Sequence, residues 1–128
     1  MSEDGFQQTA RRYAALRDMD PSGRADRDTD LRRAELAGAD LSGLDLRRAN
    51  LYAADLQGAN LSEAILVKAH LSEANLSGAN LTGADLRGAN LMAANLSGAD
   101  LTGAHLQAAI LTGANLEETV LPQDFPGT

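Results

Sequence analysis

The chain has 128 residues, 44% of them hydrophobic, and its 11 Lys plus Arg against 18 Asp plus Glu leave a net charge of −7. That length bounds it to one small domain, and the acidity disfavours nucleic-acid binding, which demands a positive footprint. Cysteine is absent, which excludes disulfides, a thiol nucleophile and thiolate metal sites, and the two Tyr and two Phe are too few for an aromatic core.

Residues 2–19 read as an amphipathic helix. Ser2 is an N-cap with Glu3 and Asp4 in the first turn, and Phe6, Ala10, Tyr13 and Leu16 fall on one face at helical spacing. Asp20-Pro21-Ser22-Gly23 is a turn signal that ends it, and residues 24–28 are a short charged connector. Residues 1–28 are read as a cap, with a partner-binding helix as the alternative. The N-terminus has no apolar signal-type segment, and no run approaches the ~20 residues that span a bilayer, so a soluble cytoplasmic protein is expected.

From residue 29 to 123 the chain repeats. Nineteen leucines stand at strict five-residue spacing from Leu31 to Leu121, in units such as Ala39-Asp40-Leu41-Ser42-Gly43 and Ala79-Asn80-Leu81-Thr82-Gly83. A period of five fits neither regular element. On a helix successive leucines would step by ~140° and scatter around the surface. On a straight strand every second leucine would face water. The chain must therefore turn once per unit, and the Gly-rich fifth position, as at Gly38, Gly43 and Gly58, is corner chemistry.

Such repetition winds a solenoid whose coils stack by main-chain hydrogen bonds. With four units per coil, Gly38, Gly58, Gly78 and Gly98 form one column and Ser42, Ser62, Thr82 and Thr102 another; three per coil would mix residue types. The expected architecture is a square all-β solenoid of a little under five coils, roughly 23 Å tall at one strand spacing per coil. Each end requires a cover, because an open coil exposes apolar surface and unpaired backbone. At the C-terminus Thr119 and Val120 break the pattern, and in the last segment, residues 124–128, Phe125 is expected to fold under the last leucines.

These tandem units resemble the pentapeptide-repeat family. The resemblance implies a right-handed quadrilateral β-helix, with the central Leu and the Ala two before it facing inward and the other positions facing out. Leu plus Ala fills a narrow core; Leu44, where Ala is expected, marks an end coil with more room.

Catalytic constellations are missing, and no enzyme, cofactor or metal site is expected. His70 and His105 occupy the outward Asp/Asn position on different sides, with no spaced ligand set. His105 stacks near Asp85, yet no hydroxyl is placed beside it as a nucleophile. The repeated Asp and Asn are read as bonding nearby backbone at the bends.

The remaining feature is the surface. Two sides are built of small polar residues; the other two share an edge and carry Arg47, Arg48, Tyr52, Ile65, Val67, Lys68, His70, Arg87, Met92 and Ile110. An apolar cluster rimmed by basic residues is a candidate protein-contact patch, repeat drift being the bland alternative. From residue 31 onward 6 Lys plus Arg face 11 Asp plus Glu, which accounts for −5 of the −7. Three classes of function follow. A protein-interaction or scaffold module, monomeric or an end-to-end dimer, fits every feature. The resemblance implies a second, DNA mimicry directed at DNA gyrase, as in the quinolone-resistance group. The Ser/Thr column raises a third, a flat-ladder binder of the ice-binding kind.

Overall fold

The structure is a computed structural model that describes residues 30–125. The helix expected over residues 2–19, the connector over 24–28 and residues 126–128 of the last segment lie outside these residues.

The backbone hydrogen bonds of one five-residue unit account for the architecture. In Ala54-Asp55-Leu56-Gln57-Gly58, the Ala54 N–H closes a turn onto the Leu51 carbonyl at 3.0 Å. The Asp55 N–H donates to Ala34 at 2.9 Å, Leu56 to Asn75 at 2.7 Å and Gly58 to Ser77 at 2.9 Å, so three bonds run to the coils on either side. The Gln57 N–H donates to the unit's own Asp55 Oδ1 at 3.1 Å. No N–H of the unit is left over, as a backbone with neither helix nor continuous strand over the described residues requires.

The recurrent Asp and Asn thus supply an acceptor that the backbone lacks, as their expected role at bends demands. Asn60, Asn75, Asn80, Asn90, Asn95 and Asn115 repeat the contact at 3.0 Å.

Parallel bridges join each second-position residue to the one twenty further on, from Asp30↔Asn50 to Asp100↔Val120. The coil is therefore twenty residues and four turns, the step that the side-chain columns predict. Strand pairing in each unit is confined to that single bridging residue, because the turn consumes the fourth and fifth positions.

Every fifth position from Arg33 to Glu118 has a positive φ, at nine glycines and at nine other residues including Ala53, Ala93 and Ala108. Positive φ at the third residue of a hydrogen-bonded turn is the type II geometry that favours Gly. An L-residue there costs roughly 1–2 kcal/mol, partly offset by the larger entropy Gly loses on folding. Ala93, exposed at φ 60°, is the cleanest probe. Ala93→Gly should raise stability by about 0.5–1 kcal/mol in urea denaturation. Gly83→Ala should lower it by a similar amount, since a Cβ at φ +69° would also meet the Glu63 carboxylate. A lower denaturation midpoint for Ala93→Gly would refute the turn-strain account.

The core is the inward Leu and Ala rows. From Ala49 to Leu101 every inward Leu and Ala is at most 1% exposed, and Leu44 fills its Ala position in the first described coil at 1%. Burial fades at the C-terminal end, where Leu106, Leu111, Leu116 and Leu121 are only half-buried. The N–H groups of Leu106, Leu111 and Leu116 have no partner among the described residues, as expected where no further described coil lies against them. Phe125, half-buried, lines a groove of about 480 Å³ with Leu106, Leu111 and Pro122, consistent with its expected position at the last leucines.

Candidate protein-contact surface

The twenty-residue step sorts the outward residues onto four sides. One side stacks Asp45, Ile65, Asp85 and His105 in a column, with Arg47, Val67, Arg87 and Gln107 two residues along; the next stacks Asp30, Asn50, His70, Asn90 and Ile110. The ten candidate residues therefore divide between two adjacent sides.

On the first side the basic residues are of two kinds. Arg47 grips Asp45 through Nε at 2.9 Å and Nη2 at 2.7 Å. Arg87 grips Asp85 through Nε at 2.8 Å and Nη2 at 2.6 Å. These forks raise the arginine pKa values, chiefly through the side-chain hydrogen bonds to the carboxylates. Both pairs are neutral as units. Ile65 and Val67, half-buried, lie on the coil between them. Arg48 and Lys68 stand at the corner on adjacent coils, exposed and without an ion-pair partner among the described residues. The Lys68 stem lies over Gly88, where an added Cβ would come within 3.2 Å of Lys68 Cγ.

On the second side Tyr52 organises a cluster. Its hydroxyl donates to Glu73 Oε2 at 3.1 Å. Its ring lies 5.7 Å from that of His70, and the Arg33 guanidinium sits 5.7 Å from the ring centroid, within cation–π range. Met92 and Ile110 are 46% and 42% exposed, but Met92 lies two coils from Tyr52, roughly 10 Å away. The structure gathers the residues around Ile65 and Tyr52 and leaves those two apart.

Sequence reasoning missed a hydroxyl beside a histidine: His70 Nε2 lies 2.7 Å from Ser72 Oγ. The arrangement copies Ser42 on Asp40 at 2.6 Å and Thr82 on Asn80 at 2.8 Å. His70 stands in for the usual Asp or Asn as partner to a hydroxyl two residues on. Its other ring nitrogen has no hydrogen-bond partner among the described residues, so nothing orients it as a general base. The signal was available in the repeat itself, since Ser or Thr at the fourth position is within reach of the second. Among the described residues no group of three or more His, Cys, Asp or Glu is placed to hold a metal.

Two carboxylates carry a pH dependence. The Arg87 hydrogen bond holds the Asp85 carboxyl below its ordinary range, with desolvation opposing. Thr102, through its side chain and then its backbone, lowers Asp100. A depressed folded pKa adds stability above the unfolded value, ~4 for Asp, and that stability is lost as pH falls through the folded value. Melting temperature should therefore drop on acidification below about pH 4. The double variant Asp85→Asn/Asp100→Asn should flatten the drop; an unchanged acid slope would exclude both groups.

A family profile described as "Pentapeptide repeats" matches in 8 copies, over residues 29–67, 54–91, 69–107 and 99–122. Among solved structures, the pentapeptide repeat protein Rfr23 from the cyanobacterium Cyanothece 51142 is 52% identical with a TM-score of 0.59. That match covers 70% of this chain and 57% of Rfr23, so the chain spans little more than half its length. The pentapeptide repeat protein alr5209 from Nostoc PCC 7120 is 36% identical over 93% of this chain and 86% of its own, with a TM-score of 0.51. Trypsin-treated QnrB1, a plasmid-mediated fluoroquinolone resistance protein, is 24% identical over 75% of this chain and 52% of its own, with a TM-score of 0.43. No curated protein matches the chain.

Proposed function

Because the chain belongs to the pentapeptide-repeat family, we propose that it is a non-catalytic protein-interaction module that presents one edge of a right-handed quadrilateral prism to a partner. The observation that carries this reading is the apolar pair Ile65 and Val67, half-buried at positions that are polar in most other units, with exposed Arg48 and Lys68 at the adjoining corner. Interfaces gain most from a desolvated apolar centre with charge at its rim. Residues 1–28 cap the N-terminal coil on this reading, and the compartment is the cytoplasm. Tagged protein should capture a partner from a lysate of its source cells. Ile65→Ser with Lys68→Glu should abolish that capture, while Gln57→Lys, two units earlier and on the opposite side of the coil, should not. Equal capture by both variants would move the contact elsewhere.

DNA gyrase is the second reading, favoured by the −5 charge carried from residue 31 onward. A prism of roughly 23 Å matches only about seven base pairs, a short mimic. The likeness to QnrB1 carries no argument at its low TM-score.

A further inference from the structure

The edge at Ile65 is polarised, and its polarity specifies a partner. Along this one unit and its two corners the outward residues run Glu63, Ile65, Val67, Lys68, all half-buried or exposed. Above and below, the Asp45–Arg47 and Asp85–Arg87 forks close the frame with charges that cancel locally, at 2.7 and 2.6 Å. Glu63 leans over Gly83 on one side, and Arg48 and Lys68 stand stacked on the other. The frame therefore offers an apolar centre, a negative corner and a doubly positive corner.

We propose that this edge binds an extended acidic segment of a partner protein. One large apolar side chain of the segment covers Ile65 and Val67, and two or more carboxylates on one side of it meet Arg48 and Lys68. The inference rests on the interaction reading above and adds the partner's chemistry. Charge complementarity fixes the direction: carboxylates beside Glu63 are repelled, those beside Arg48 and Lys68 are drawn in. A nucleic acid fits poorly, since its evenly spaced phosphates would also pass over Glu63. A basic peptide meets the opposite misfit at the doubly positive corner.

Amide chemical shifts of isotope-labelled full-length protein provide the test. The probe is the peptide acetyl-Gly-Ser-Leu-Phe-Glu-Asp-Glu-amide, beside a version with three Lys in place of the acids and one with two Ala in place of Leu-Phe. The acidic peptide should shift residues 48, 52 and 65–68 saturably. Its affinity should fall several-fold between about 20 and 200 mM salt. Arg48→Glu with Lys68→Glu should weaken it roughly tenfold or more, and replacing Leu-Phe by Ala-Ala should weaken it comparably. Gln57→Lys should leave it unchanged, and matching amide spectra would show that every variant is folded. Equal or tighter binding of the Lys peptide at the same residues would overturn the acidic partner while leaving the interaction reading intact. Absence of shifts at this edge with all three peptides would also overturn it. Failure of the unsubstituted tagged protein to capture any partner from the lysate is what would sink the interaction reading.

Discussion

Leu81→Ala should lower the unfolding free energy by about 2–5 kcal/mol, measured by urea denaturation. Leu81 is fully buried, and its side chain points into a core whose neighbouring rows are themselves leucine and alanine. Removing it leaves a void that stacked coils cannot close, because each is pinned to the next at 2.7–3.0 Å by three main-chain bonds per unit. The neighbouring Asn80 accepts the N–H and hydroxyl of Thr82 at 3.0 and 2.8 Å, but it is exposed, so water replaces it on Asn80→Ala. That change should cost about 1 kcal/mol. Leu116→Ala, in the half-buried last described coil, should fall between the two. Equal losses at Leu81 and Asn80 would mean that the inward and outward rows are misassigned.

The architecture was legible because the five-residue period leaves a chain few alternatives. The column test at Gly38, Gly58, Gly78 and Gly98 reached the twenty-residue coil that the bridges display. Less legible was how little of each unit is strand. The Asx contacts and turns consume the backbone groups that a longer strand would pair, and only a bond-by-bond account of one unit reveals this.

The surface was legible as columns and illegible as charge. Arg47, Arg48, Lys68 and Arg87 read as one basic rim, whereas the fourth-position arginines turn back onto the second-position Asp of their own unit and the fifth-position cations do not. The reason is geometric: positions two and four point out on the same side, close enough for a guanidinium fork, and the fifth sits at the corner. The same rule joins His70 to Ser72. Tyr52, Glu73 and Arg33 meet because residues near twenty apart stack.

Leu44 turns the narrowness of the core into a second large expected effect. Its column continues through Ala64, Ala84 and Ala104, all at most 4% exposed, so one long side chain is followed by three short ones. If the first described coil has room that the middle coils lack, the two exchanges must differ in kind. Leu44→Ala should cost about 2–4 kcal/mol by opening a cavity. Ala84→Leu should cost about 1–3 kcal/mol or more by forcing apart coils already in contact. The damage should stay local, since each coil touches only its neighbours. Hydrogen exchange should therefore quicken at the amides of Asp85, Leu86 and His105 and remain slow at Leu56 and Asn75. If Ala84→Leu is neutral, the interior holds unfilled space along the whole column, and Leu44 no longer marks an end.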